Sequence, residues 1–206
     1  MRGWAVQGDL TAEGVGEIVN KYLSDLHLGH ANILRMSKRR EGFADVDEMN
    51  AYIIRRWNEN VDDSDDVWIP GDFSYRSGVA VETYLNQMKG HKHLVIGNHD
   101  AKWMKNTRLS KYFDSVSNME VIKDGKKIIT ICHYPMMEWE QSRRAKFDPE
   151  GYSWLVHGHI HDSITCGAYQ YIREFLPCAL NACFEINDHP VTLEELIENN
   201  KNWYSR

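Results

Sequence analysis

A layered α/β fold is what this chain predicts, and three observations carry that expectation. Short runs of β-forming residues alternate with amphipathic stretches along most of its 206 residues. Two of the stretches between the runs carry a single apolar stripe rather than an apolar surface all round, as a helix lying on a sheet does. Polar islands rich in Asp, Asn and His follow the strand candidates instead of interrupting them, the placement of loops at the site-bearing edge of such folds. The sum is two facing sheets, or one large sheet with helices outside. No linker, repeat or low-complexity tract divides the chain.

In chain order, residues 1–16 (MRGWAVQGDLTAEGVG) show no clear period and are expected to form a peripheral extension ahead of a single domain over 17–206. The first strand candidate, Ile18 to Leu23, is weakened by Asn20 and Lys21 and runs into Ser24-Asp25. Met49, Tyr52, Ile53 and Trp57 fall on one stripe of a helix. Val67-Trp68-Ile69 leads into Gly71-Asp72. Val81, Tyr84, Leu85 and Met88 repeat the helical spacing before Gly90, a plausible stop. Leu94-Val95-Ile96 leads into Gly97-Asn98-His99-Asp100. Met119 to Ile122, the turn Asp124-Gly125 and Lys127 to Ile131 predict a β-hairpin, and Ile128 to Cys132 ends at His133. Trp154-Leu155-Val156 precedes the His157 to His161 cluster. Ala168 to Ile186 reads as a second β-rich tract. Thr192 with Glu195 forms a capping box ahead of Leu196 and Ile197.

Composition narrows the function classes. Hydrophobic residues make up 42% and charged residues 26%, ordinary for a folded chain. No apolar run approaches the roughly 20 residues of a membrane helix, and the first twenty positions lack a signal-peptide pattern, so a cytoplasmic protein is expected. Cys132, Cys166, Cys178 and Cys183 show no CxxC spacing and read as buried free thiols. A net charge of −6 argues against a general nucleic-acid surface. Bound divalent ions would nevertheless draw an anion locally, because they carry their own field.

Seven residues of metal-binding type fall in five islands: Asp25 and His27, Asp72, Asn98, His133, and His159 with His161. Carboxylate, amide oxygen and imidazole together suit two divalent ions that share a bridging carboxylate and a water, which is hydrolytic chemistry on phosphate. Asp25 and His27 are two apart, so on an extended backbone they share a face, and the same holds for His159 and His161. His157 reads as a strand-end histidine bonded to backbone. His91, His93 and His189 read as surface or packing residues.

The five blocks Asp25-Leu26-His27, Gly71-Asp72, Gly97-Asn98-His99-Asp100, His133 and Gly158-His159-Ile160-His161 occur in the order found in the calcineurin-like metallophosphoesterase superfamily, which the chain resembles. Ser24 to Ile33 is most similar to its small, cap-free bacterial and phage members. The resemblance implies the metallo-dependent phosphatase fold, a four-layer α/β/β/α sandwich of two facing mixed sheets flanked by helices. It implies one ion on Asp25, His27, Asp72 and His161, and a second on Asp72, Asn98, His133 and His159, with Asp72 bridging. It also implies in-line attack on phosphorus by a hydroxide held between the ions, with His99 stabilising or protonating the departing oxygen. Asp100 is placed to orient that imidazole. Mn²⁺ is the working metal, and Fe, Zn²⁺ and Ni²⁺ suit the same donors.

His30 stands as either a substrate contact or structural support. Arg76, and the stretch from Pro135 to Tyr152 with Trp139, Arg143, Arg144 and Lys146, could grip phosphate and stack on a ring, or simply be solvated. The expected substrate is a small phosphodiester or nucleotide-like phosphoester. A nuclease of the same superfamily and a non-catalytic metal-binding scaffold for a protein partner are the competing readings.

Overall fold

Parallel pairing dominates the first sheet, in which β1 (Asn20–Tyr22), β2 (Asp66–Ile69), β3 (His91–Val95) and β4 (Ser115–Ser117) lie side by side in that order. The structure, a computed structural model, describes residues 18–145, 147 and 151–205, so the expected extension over 1–16 lies outside the described residues. The second sheet runs β5 (Glu120–Asp124), β6 (Lys127–Ile131), β7 (Ser153–His157) and β8 (Ala179–Asn181). Its β5 and β6 are the antiparallel hairpin, and β6, β7 and β8 pair in parallel. Of the two sheets expected to be mixed, only the second is; the first is wholly parallel. Helical crossovers join each of its strands to the next, and a crossover returns the chain in the same direction.

Period-two alternation builds the layers. Tyr22, Trp68 and Val95 point from the first sheet into a core shared with Ile129, Ile131, Trp154 and Val156 of the second. Their neighbours Leu23, Val67, Ile69 and Leu94 point the other way, onto a helical layer. That layer contains α1 (Val46–Asn60), which Asp45 caps by accepting from the backbone N–H of Asp47 and Glu48 and whose buried stripe is Met49, Ile53 and Trp57. It also contains α2 (Glu82–Leu85). A single turn, α3 (Ala101–Met104), follows β3, and α4 (Ser142–Ala145) precedes β7. On the outer face of the second sheet, Leu155 and Ala179 pack against α5 (Gly167–Phe175) and Trp203. A short α6 (Phe184–Asn187) leads to α7 (Leu193–Tyr204), whose capping box pairs Thr192 with Glu195 as expected. The result is the α/β/β/α sandwich. No helix among the described residues is long and apolar enough to cross a membrane.

The tract from Ala168 to Ile186 is a correction. Only Ala179–Asn181 is strand, flanked by α5 and α6. Tyr169, Ile172 and Leu176 are buried together, a spacing of three and four that the aromatic and branched residues around them disguise as alternation.

Parallel strands end at one edge, so the segments after β1, β2 and β3 converge, as do those after β6 and β7. Backbone bonds tie these segments to one another, and the one from Ser24 crosses between the sheets. Asp25 N–H donates to Gly71 O at 3.0 Å, His27 N–H to Asp72 O at 3.0 Å, Ser24 N–H to Ala182 O at 2.8 Å and Gly158 N–H to His133 O at 3.0 Å.

Candidate metal centre

The seven side chains form one connected cluster that includes Asp72 Oδ2. That oxygen lies 3.6 Å from His27 Nε2, 3.6 Å from His133 Nε2 and 3.9 Å from His99 Nε2. Its partner Oδ1 accepts from His99 N–H at 2.8 Å, which fixes the carboxylate plane. Asp25 Oδ1 stands 3.5 Å from His161 Nε2 and 3.9 Å from His27 Nε2. Asn98 Oδ1 lies 2.9 Å from His133 Nε2 and 3.0 Å from His159 Nδ1. Asp25, His27, Asp72 and His133 are buried, whereas Asn98 and His159 face solvent.

These donors fit divalent cations. Asp25 Oδ1 and His27 Nε2 are buried and have no hydrogen-bond partner. Leaving a buried carboxylate oxygen and a ring nitrogen unsatisfied is costly unless a cation takes up their lone pairs. Two sets of ligand atoms lie within 4.8 Å of one another, Asp25 with His27 and His161, and Asp25 with Asp72 and His133. The first set is three of the four residues that the resemblance assigns to one ion, without Asp72. The second brings Asp25 beside Asp72 and His133, closer to both halves of the site than that grouping gave it. Asp72 Oδ2 lies between His27 and His133, 3.6 Å from a ring nitrogen of each.

The backbone is unusual at the same points. Asp25, His27, Asp72, His159 and His161 all have positive φ, between 49° and 72°. The extended-backbone argument for the Asp25–His27 and His159–His161 pairs is therefore wrong in its premise. Each segment curls through the left-handed region twice, at about 1–3 kcal/mol per residue, and the curl turns both side chains inward. Glycines make room beside them. A Cβ on Gly71, whose φ is +83°, would lie 2.5 Å from His133 Nδ1. One on Gly97 or Gly158 would strike a carboxylate oxygen of Asp72 or Asp25.

Behind the ring of ligands stands a supporting shell that sequence reasoning missed in part. His161 Nδ1 lies 3.0 Å from Glu185 Oε1, which also accepts from buried Arg40 Nε at 2.6 Å. Arg40 donates further to Leu26 O at 2.9 Å and Asp25 O at 2.5 Å. Asp25 Oδ2 accepts from Ser24 Oγ at 2.7 Å, His159 N–H at 3.0 Å and Cys183 Sγ at 3.2 Å. His133 Nδ1 donates to Pro70 O at 2.8 Å, leaving Nε2 with its lone pair toward the site. Nothing near Arg40, Cys183 or Glu185 in the chain marks them; only the fold brings them here.

Charge sets the titration of these groups. Burial raises the Asp25 carboxyl, and the imidazoles of His161, His133 and His27 with the Ser24 hydroxyl outweigh it, so its pKa falls. Burial and the charge of Asp25 push Asp72 upward. Burial drives His27 well down, which keeps its ring neutral and able to donate a lone pair. His161 is pulled the other way, against burial, to about 9 by Glu185 and Asp25.

Other expected residues divide. His30 is buried, with Nδ1 3.2 Å from His27 Nδ1, so it supports the His27 ring. Asp100 does not orient His99. Its Oδ2 accepts from Asp72 and Gly97 N–H, and its Oδ1 from Phe73 N–H and Trp103 Nε1, all at 2.8–2.9 Å. All its capacity goes to the loops that carry Asp72 and Asn98. His157 is bonded to Gly158 O at 2.9 Å, as expected of a structural histidine. Arg143 pairs with Glu138 at 3.6 Å on an exposed surface, Arg144 covers the Tyr152 ring, and Lys146 lies outside the described residues. Arg76 stacks over Tyr75, beside His99.

Comparison with known proteins agrees with this architecture. Residues 21–175 match the calcineurin-like phosphoesterase superfamily domain, and the chain belongs to that family. An uncharacterized protein of Methanocaldococcus jannaschii is 31% identical over 179 residues, covering 85% of this chain and 88% of that one. The gene 66 protein of Mycobacterium phage L5 is 25% identical over 174 residues, covering 74% of this chain and 82% of its own length. The crystal structure of a protein of unknown function from Aquifex aeolicus superposes with a TM-score of 0.64 at 26% identity, covering 88% of this chain and 99% of that chain.

Proposed function

We propose that this member of the phosphoesterase family is a hydrolase that uses two divalent ions to cleave small phosphodiesters or nucleotide-like phosphoesters. The observation that carries the reading is Asp72 Oδ2, 3.6 Å from an imidazole nitrogen on each side and adjacent to ligand atoms that are buried and unpaired. Asp25, His27, Asp72 and His161 would hold one ion, and Asp72, Asn98, His133 and His159 the other. Ions in such a set neutralise phosphoryl oxygens and acidify water.

The protein's own residues do the rest. His30, Glu185 and Pro70 O fix the rings of His27, His161 and His133, so that each turns one nitrogen inward. His99 is half-exposed, with Nε2 on the open side of Asp72. From there it can give a proton to a departing ester oxygen. Two cavities adjoin the centre, one of about 320 Å³ lined in part by His99 and one of about 540 Å³ lined in part by His159 and His161. Room for two ester substituents favours diesters over monoesters.

The test is hydrolysis of bis(p-nitrophenyl) phosphate by protein loaded with Mn²⁺, Fe, Zn²⁺ or Ni²⁺, with bound metal counted by elemental analysis. Turnover lost in Asp72→Asn and His99→Ala proteins, and two ions per chain, are the expected results. Absence of turnover with every metal would favour a binding scaffold.

A further inference from the structure

The cavity beyond His99 has a chemistry of its own. Tyr75, His99 and Trp103 supply aromatic wall, while Arg76 and Lys102 bring positive charge and Glu82 is the one carboxylate among its lining residues. His99 belongs to both sites. Its Nε2 is 3.9 Å from Asp72 Oδ2, and its ring centroid is 4.1 Å from that of Tyr75.

The aromatic walls are held from behind. Tyr75 meets the buried His30 ring edge-on at 4.8 Å, and Trp103 Nε1 donates to Asp100 Oδ1 at 2.9 Å. A flat ligand therefore meets an aromatic wall that is already ordered, at small ordering cost. Neither cation, Arg76 or Lys102, has a carboxylate partner among the described residues, and Arg76 already rests on the Tyr75 ring, its guanidinium 5.0 Å from the ring centroid. Arg76 also sits at φ +49°, a conformation a non-glycine residue adopts only when the surrounding structure holds it there.

We propose that this cavity is a subsite for a nucleoside-sized aromatic group attached to an anion other than the scissile phosphate. The substrate class is then a nucleotide whose base stacks beside Tyr75 and Trp103, with a second phosphate between Arg76 and Lys102. A volume of about 320 Å³ holds one such unit and not a run of nucleic acid. Arginine offers that phosphate a planar fork, and lysine a point charge. This deepens the phosphoesterase reading, on which it rests for the position of the scissile phosphorus; the cavity's affinity for a nucleotide does not depend on turnover.

Binding is therefore the readout, by calorimetry on the full chain both stripped of metal and loaded with Mn²⁺, with adenosine diphosphate as probe and adenosine and inorganic phosphate as comparisons. Adenosine diphosphate binds at least tenfold more tightly than either comparison. Arg76→Ala and Lys102→Ala each weaken it about tenfold, and Tyr75→Leu weakens adenosine as well. Arg55→Ala, which breaks an exposed pair with Glu59 on α1 and is not among the cavity's lining residues, leaves affinity as it was. Circular dichroism melts confirm that each variant is folded. Affinity indifferent to both cations, or inorganic phosphate binding as well as the nucleotide, overturns the subsite. Binding in the expected pattern without hydrolysis of any phosphoester keeps the subsite and removes the hydrolytic reading. Hydrolysis of bis(p-nitrophenyl) phosphate with no effect of either cation on nucleotide binding removes the subsite alone.

Discussion

Arg40 and Glu185 form an ion pair at 2.6 Å whose side chains are both wholly excluded from solvent, and Glu185 passes the contact on to His161 Nδ1 at 3.0 Å. Burial raises the Glu185 carboxyl, but Arg40 and His161 hold it far below the usual carboxylate range. Removing one partner of such a pair leaves an uncompensated charge inside the protein and costs about 3–5 kcal/mol. Arg40→Met should lower urea stability by that amount, since it also frees the Asp25 and Leu26 carbonyls. Glu185→Gln keeps an acceptor for His161 but no charge, and should weaken Mn²⁺ binding by about 10–100-fold. Unchanged Mn²⁺ affinity in that variant would mean that Glu185 does not tune the His161 ring.

Asp100 and His99 are neighbours with separable tasks. Asp100→Asn turns an amide group toward two of the four N–H donors that its carboxylate now satisfies. The loss should be about 2–4 kcal/mol in a denaturant titration. His99→Asn removes a half-exposed ring. It should leave stability within about 0.5 kcal/mol and lower kcat by about 10²–10⁴-fold. Equal destabilisation by the two substitutions would show that His99 is structural.

The legible parts of the site are those written as short continuous blocks. Gly71-Asp72 and Gly97-Asn98-His99-Asp100 follow apolar strands, so a loop position could be read for them directly. The path of the chain inside those loops could not. Positive φ at Asp25 and His27 is imposed by hydrogen bonds to Gly71 O and Asp72 O, some 46 residues distant, and local spacing carries no trace of that. Arg40 and Glu185, 145 positions apart, look in the sequence like ordinary surface charges. In the fold, the helical spacing of Tyr169, Ile172 and Leu176 was obscured by β-forming residues, whereas α1 and α7 announced themselves through stripe and cap.

Gly97 and Gly158 lie against carboxylate oxygens of Asp72 and Asp25 respectively. An alanine methyl at either position cannot fit unless that carboxylate moves, along with the Asp72 backbone beside Gly97 or the Pro70 carbonyl beside Gly158. Because neither glycine has positive φ, the effect is steric rather than conformational. Gly97→Ala and Gly158→Ala should each reduce Mn²⁺ stoichiometry or affinity at least tenfold, measured by elemental analysis after gel filtration. Gly42→Ala, where the methyl meets nothing within 4 Å, is the control. Full Mn²⁺ loading in the Gly97 and Gly158 variants would show that the carboxylates are freer than their hydrogen bonds imply.

Asp188 gathers three donors from the helical side of the molecule. It accepts from Arg39 Nη2 at 2.6 Å, Arg56 Nε at 2.8 Å and the Tyr52 hydroxyl at 2.8 Å. Burial raises its carboxyl, and His189 at 4.0 Å together with the hydrogen bonds from Arg39, Arg56 and Tyr52 outweighs it, so the folded pKa lies well below the usual value. For a carboxyl depressed by folding, the stabilisation is complete above the unfolded pKa of about 3.9. It is lost as pH falls from there toward the folded value. Asp188→Asn tests this without disturbing the backbone, because asparagine accepts the left-handed φ of 68° found at this residue. At pH 7 the variant should be about 1–2 kcal/mol less stable. Below about pH 4 its stability should fall less steeply than that of the wild type, so the two curves converge in acid. Parallel curves from neutral pH down to about pH 2, measured by urea unfolding, would show that Asp188 does not contribute to the acid limb.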